Sequence, residues 1–260
     1  MRQAVRRSRK RTTRATEPRL PIYPITAIFV LCSIIRDHDV KVSAVYIDLE
    51  QYSHPTKVRA RYQLASNYLS LFISDWVNER ILDFGNFNRF VFVEGSKVDM
   101  KTVGDRALSV NISEAMFLPE SPLASDEESG SALEIHNYFV RKYLEGFNRV
   151  DQHFKLSLST PLAEAISANF SKSLIYEKPV GEYADRSKRL RLIHRYTTDR
   201  YQLVAIENDG KDVDLAREFV LMDLIPDPFK VYYHVAHITV DGRRVYIANR
   251  TDSEVIVKEI

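Results

Sequence analysis

The chain has 260 residues, long enough to bury a substantial core, and its 45% hydrophobic and 28% charged content is ordinary for a globular protein. Eight glycines argue against glycine-loop and repeat-built architectures, and a single cysteine, Cys32, excludes an internal disulfide framework or a multi-cysteine metal site. The formal net charge of +2 joins two unlike parts: residues 1–39 hold nine Lys or Arg against three Asp or Glu, which leaves 28 basic and 32 acidic residues in 40–260. The body is therefore mildly acidic, and a general affinity for nucleic acid does not follow from composition.

Residues 1–16 are rich in Arg, Ser and Thr, and Leu20 to Ile35 is largely apolar but interrupted by Pro21 and Pro24. No small-residue cleavage site follows the apolar block, as a secretory signal needs, and the block is too short to span a membrane. A transit peptide fits the composition of the first residues but not the apolar block. The favoured reading places residues 1–39 outside the folded domain, as a tail ahead of a chain that starts at Val40. A basic arm touching nucleic acid or membrane is the alternative. With one cysteine and no membrane span, a cytoplasmic location is expected.

Val42 to Leu49 alternates as a first strand. Pro55 then opens a long amphipathic helix near 55–81, in which Val58, Tyr62, Ala65, Leu69, Phe72 and Trp76 recur at steps of three and four and form one apolar stripe. Phe72 and the only Trp place the densest packing near its end. Strands are expected at 89–94, 98–101 and 107–112, the first two joined near Gly95. Residues 119–131 are acidic and almost free of apolar side chains, the composition of a mobile loop. A second helix carries Leu133, His136, Val140, Tyr143, Phe147, Val150 and Phe154 on one face, although Gly146 weakens it. Thr160 and Pro161 suit the start of a third helix ending near Phe170.

From Leu174 the pattern changes to antiparallel strands, at 190–196, 201–206, 219–224, 231–240, 243–248 and 255–260. Asp241-Gly242 between two alternating runs is the strongest hairpin signal, and a turn centred on that pair sets Ile238 opposite Val245 and His234 opposite Asn249. The fold class expected is α+β: one domain over 40–260 in which three helices are segregated from a largely antiparallel sheet.

Histidines do not suggest a metal site. His234 and His237 are three apart, which on a strand sends them to opposite faces, and His136 on the apolar stripe reads as a hydrogen-bonded core residue. Phosphate loops, dinucleotide fingerprints, nucleophile elbows and zinc-protease motifs are absent from the sequence.

Two groups of residues remain. Asp83 follows the long helix, and Asp99 and Lys101 share one face of the strand after it, with Glu79 nearby as a third acid. This succession of helix, Asp and acid-x-Lys strand resembles the PD-(D/E)xK nucleases over residues 55–101. It departs from them in having Leu82 where the family has Pro and Asp99 where Glu is usual. The resemblance implies that Asp83 and Asp99 would hold Mg²⁺, and that Lys101 would steady an activated water or the scissile phosphate. The second group is Arg189, Arg191 and Arg195, which share strand parity and could bind phosphates of a nucleic acid or an acidic protein surface. The primary expectation is a protein-binding role without catalysis or cofactor, of a bacterial immunity, antitoxin or phage-defence accessory kind, with an unidentified protein partner. The alternative is the Mg²⁺-dependent nuclease.

Overall fold

The computed structural model describes residues 41–51, 54–80, 82–95, 99–113, 132–185, 188–208 and 216–260; the basic tail and the acidic loop lie outside them. The chain divides into two units, 1–38 and 39–260, and all described residues belong to the second. The described residues form four helices and eleven strands, arranged as a mixed α+β fold in three sheets.

The first sheet contains β1 (Ala44–Leu49), β2 (Arg89–Glu94), β3 (Met100–Val103) and β4 (Ala107–Ile112) in the order β1-β2-β4-β3. β1, β2 and β4 are parallel, and only β3 runs against β4. The expected hairpin between β2 and β3 is not formed: β2 lies between β1 and β4, so β3 reaches the sheet only through β4. Parallel β1 and β2 are joined by helix α1 (Thr56–Asn78), as a parallel pair requires a long crossover. Alternation along the strands builds three registered rows on the helix-facing side: Val45-Phe90-Leu108, Ile47-Phe92-Val110 and Leu49-Glu94-Ile112.

Helix α1 is buried on more than its apolar stripe. Tyr62, Ala65, Leu69 and Trp76 are in the core as their spacing predicts, but so are Ser66, Asn67, Ser70 and Ser74. β1 is an edge strand, and the backbone of Val45 points away from β2. Val45 N–H donates to Ser74 Oγ at 2.9 Å, and the Ser70 hydroxyl donates to the Val45 carbonyl. A serine face therefore replaces the missing strand neighbour.

Helix α2 (Ala132–Phe154) packs over β2 and β4, with Phe139, Tyr143, Phe147 and Val150 fully buried. Leu133, placed on the stripe by its spacing, is instead exposed at the first turn. Gly146 lies against the ring of Phe92, where an added Cβ would come within 2.5 Å of Cγ; the glycine that weakens the helical pattern is the close-approach point of helix and sheet. Helix α3 (Ser159–Phe170) begins where the Asp151 carboxylate, from α2, accepts the backbone N–H groups of Leu158 at 2.7 Å and Ser159 at 2.9 Å. The cap thus comes from the preceding helix and not from Thr160.

The second sheet is an antiparallel meander of β5 (Tyr176–Asp185), β6 (Lys188–Tyr196), β7 (Tyr201–Asn208) and β8 (Arg217–Leu224). It joins α1 through Tyr176, whose ring meets Phe72 edge-on and whose hydroxyl donates to Asp75, and through Asn67 Nδ2, which donates to the Pro226 carbonyl at 2.7 Å. The third sheet has the order β11-β10-β9, with β9 (His237–Asp241), β10 (Arg244–Ala248) and β11 (Val255–Glu259) antiparallel. One hydrophobic core runs from Val42 to Ile260 through the three sheets and four helices, but no residue of β11 enters it.

Two expectations about the last segment are corrected. Residues from Pro228 to His234 form a short helix, α4, so the strand begins at His237 and His234 does not face Asn249. The hairpin turn is centred on Gly242-Arg243, with φ +57° at Gly242, which shifts the register by two residues so that Ile238 faces Ile247. Glycine at the first central position gives a two-residue turn of the Gly-X kind instead of Asp-Gly.

Replacing Gly146 by Ala removes glycine's helical penalty but drives a methyl group into Phe92. Overpacking of this kind costs about 1–3 kcal/mol, so Gly146→Ala is expected to lower the urea midpoint of unfolding; a raised midpoint would mean that helix and sheet can separate freely here.

Candidate functional site

At the carboxyl ends of the parallel strands, the third apolar row carries an acid, Glu94, which is 1% exposed. The strand parity of Phe90 and Phe92 directs it into the core. Its carboxylate accepts the hydroxyl of Tyr62 from α1 and that of Tyr138 from α2, the latter at 2.7 Å to each oxygen. Lys142 Nζ lies 3.9 Å from Glu94, and donates to the Ser113 carbonyl and hydroxyl at 2.9 Å. Glu145 closes the ring by accepting the N–H and O–H of Ser113 at 2.6 and 2.7 Å. Desolvation raises the Glu94 carboxyl, against the opposing pull of the tyrosine hydrogen bonds and Lys142, and burial beside Glu94 raises the Tyr62 phenol well above its usual range. The group can hold a proton, but Tyr62 and Glu94 are both closed from solvent, so the network's evident work is to lock α1 and α2 onto the sheet.

Buried His136 and half-buried His194 are likewise paired. His136 Nδ1 meets the Tyr68 hydroxyl at 2.7 Å, as its position on the stripe suggests, and His194 Nδ1 meets Tyr201 at 2.7 Å. Burial, aided by Lys178, brings His194 down to about 4.

Asp83, Asp99 and Lys101 occupy exposed positions outside this network. Asp83 accepts the N–H of Gly85 at 2.8 Å in the turn after α1, the local use that a turn Asp commonly finds. Asp99 precedes edge strand β3, is 87% exposed at its side chain, and pairs with Arg149 of α2 at 2.6 Å. Lys101 stands on β3, with Ser109 of β4 as its register partner. Among the described residues, no three His, Cys, Asp or Glu side chains are grouped to hold a metal ion.

Arg189, Arg191 and Arg195 do lie on one face of β6, but acids are interleaved with them. Arg195 bonds Glu177 at 2.8 Å and Glu218 at 2.6 and 2.8 Å, and its guanidinium holds the Glu218 carboxyl below the usual range. Arg191 is registered opposite Glu182. The same face contains Ile193 and Val204, both buried, so Arg195 and its acids lie on a face that includes a small apolar strip. Arg189 and Arg191 are exposed.

Sheet edges single out another surface. β3 has four residues; β5 is broken by a bulge at Pro179; β8 is bulged near Leu221 and carries Arg217, Glu218 and Asp223; β9 shows His237, Thr239 and Asp241 to solvent. Each of these features blunts an edge. β11 differs: Val255, Ile256 and Val257 are 53%, 42% and 50% exposed in succession. The loop before β11 is organised by buried Asn249, whose Oδ1 accepts the N–H groups of Thr251 and Ser253 at 3.2 and 3.0 Å. Exposed Tyr232 and Tyr233 of α4 are tied to the same loop, since Arg250 lies over the Tyr232 ring and donates its N–H to the Tyr233 carbonyl at 2.8 Å. The sequence pattern identifies β11 as a strand but does not say that it forms an edge. The signal for Glu94 was available, as an acid in phase with Phe90 and Phe92.

No protein-family model matches the chain, and no curated protein or solved structure matches it significantly. Among the described residues, no helix is long and apolar enough to cross a membrane.

Because the folded pKa of Glu94 is raised, its protonated form favours folding below the unfolded value of about 4.3, and that contribution is lost as pH rises through the higher folded pKa. Glu94→Gln keeps an acceptor for the tyrosines without the charge. Its unfolding midpoint is therefore expected to gain on wild type as pH rises from 4 towards 7; a pH-independent difference would refute the burial-driven shift.

Proposed function

We propose that this chain is a non-catalytic protein-binding protein that takes an extended strand of its partner onto the free edge of β11. The observation that carries the reading is the run Val255-Ile256-Val257, apolar, consecutive and solvent-exposed on an edge strand. Main-chain pairing along such an edge gives affinity, and alternate side chains give selectivity. The ion pairs at Asp99 and Arg195 and the closed network around Glu94 support this reading, because they engage those side chains within the fold. An immunity, antitoxin or defence-accessory role in a cytoplasmic setting is the narrower form of the proposal.

Proline at position 257 tests it. The hydrogen bonds between Asn249 N–H and the Glu254 carbonyl, and between Ile260 N–H and the Arg243 carbonyl, set the phase of the β10–β11 ladder. In that phase Glu254, Ile256 and Lys258 bond to β10, while the N–H and C=O of Val255, Val257 and Glu259 point outward. Val257→Pro thus removes an outward donor and leaves the inner ladder whole. Comparative affinity capture from the source cells is expected to retain partner protein on wild type and lose it on Val257→Pro; equal capture by both would remove the edge from the function.

The nuclease reading has its own check. Plasmid, single-stranded DNA and RNA incubated with residues 40–260 and Mg²⁺ are expected to stay intact. Cutting that needs the metal and disappears in Asp99→Ala would establish the nuclease instead.

A further inference from the structure

We infer that the strand received on the β11 edge is β11 of a second copy of this chain, the two pairing antiparallel about a two-fold axis that passes by Ile256. The inference rests on the edge being the binding surface and names its occupant. Three observations lead to it.

The first is the ladder phase. Since Val255, Val257 and Glu259 present the outward N–H and C=O groups, a new antiparallel strand must form its hydrogen-bonded pairs with them. For a symmetric β11 pair this leaves a few registers, each two residues from the next. Shifts of one residue would set outward groups against inward ones.

The second is the order of the side chains, Glu254-Val255-Ile256-Val257-Lys258: an acid, three apolar residues, a base. Read against itself in the opposite direction, this segment is complementary. The register centred on Ile256 sets Glu254 opposite the partner's Lys258 and Lys258 opposite the partner's Glu254. Val255 then faces the partner's Val257, and Ile256 faces the partner's Ile256. The neighbouring register centred on Val257 sets Val255 against the partner's Glu259 and Ile256 against the partner's Lys258, without an ion pair. The register centred on Val255 would set Asp252 opposite the partner's Lys258, but Asp252, at φ +52°, lies in the turn before the strand and is not extended. Among registers that pair extended residues, charge complementarity therefore selects the one centred on Ile256.

The third is the agreement between the two. In the register centred on Ile256, Val255 and Val257 form the hydrogen-bonded pairs, while Glu254, Ile256 and Lys258 fall at the non-hydrogen-bonded positions, where facing side chains approach more closely. Both ion pairs and the central Ile–Ile contact occupy those close positions. Among the described residues, neither Glu254 nor Lys258 has an ion pair within the chain that would compete. Charges near the ends of an edge strand ordinarily deter pairing; in this order they permit it in one register and with one orientation.

Sedimentation of the full chain over a range of concentrations is the test. A reversible monomer–dimer equilibrium is expected for wild type, and monomer for Val257→Pro. Glu254→Lys and Lys258→Glu each turn both ion pairs into like-charge pairs and are expected to weaken the dimer on the order of tenfold. Mixing the two single variants restores complementarity at both ends and should recover association, as should the double variant with itself. In a Cys32→Ser background, Ile256→Cys is expected to link two copies by a disulfide under mild oxidation, whereas Val255→Cys, which faces the partner's Val257, is not. A wild-type chain monomeric at every concentration, or a dimer indifferent to Val257→Pro and to charge reversal, overturns the inference. If the chain is monomeric but Val257→Pro still abolishes capture of a different protein, the second copy is overturned and the edge reading stands. If neither self-association nor capture responds to Val257→Pro, both fall.

Discussion

An edge strand has backbone groups that no neighbouring strand satisfies, and the way β1 meets this requirement shapes the molecule. The Val45 N–H and C=O are taken by the hydroxyls of Ser74 and Ser70, one turn apart on α1. Small polar side chains let the helix come close enough to act as a surrogate strand while its larger residues fill the core beside it. Once α1 is held there, its remaining faces become docking surfaces. Tyr62 and Phe139 bring in α2 with rings 4.9 Å apart, Tyr68 and Phe72 receive Phe170 of α3, and Phe72 with Asp75 receives β5. A helix with this many neighbours is buried almost all round, which explains why its serines and Asn67 are inside.

The same economy appears at three enclosed polar groups. Glu94 closes an apolar row with a carboxylate, and two tyrosines from two helices converge on it; His136 and His194 are each matched by a tyrosine hydroxyl. Buried polar groups left unpaired are expensive, so each such pairing favours one arrangement of the elements over sliding alternatives. Glu94 in particular can reach Tyr62 and Tyr138 together only when α1 and α2 are both seated. Within this network Glu94 and Tyr62 are closed from solvent.

On the surface several charges are answered by neighbours of opposite sign, as with Arg149 and Asp99 or Arg195 and its two acids. The edges of the sheets are shortened, bulged, covered or made polar, with β11 the exception. A protein that guards its other edges and leaves a run of three apolar residues on this one has a surface suited to strand pairing. The acid and base that flank the run supply direction and register.

Much of the fold was legible in the sequence because hydrophobic periodicity reports local structure directly. The stripe on α1, the second helix, the alternation of β2 and β4 and the meander of β6 and β7 follow from spacing alone, as does the core placement of His136. What spacing cannot carry is the partner of each strand. Whether β3 pairs with β2 or β4, whether β1 and β2 run parallel, and whether β11 lies inside or at the edge of its sheet depend on contacts between residues far apart in sequence. The turn at Gly242 shows the limit even locally, since moving its centre by one residue shifts the register by two without changing which side chains share a face. The candidate site divides in the same way. The order Glu254-Val255-Ile256-Val257-Lys258 and its self-complementarity are properties of the sequence, whereas the freedom of that strand to be paired was decided by tertiary structure, because only the packed sheet determines which backbone groups remain unbonded.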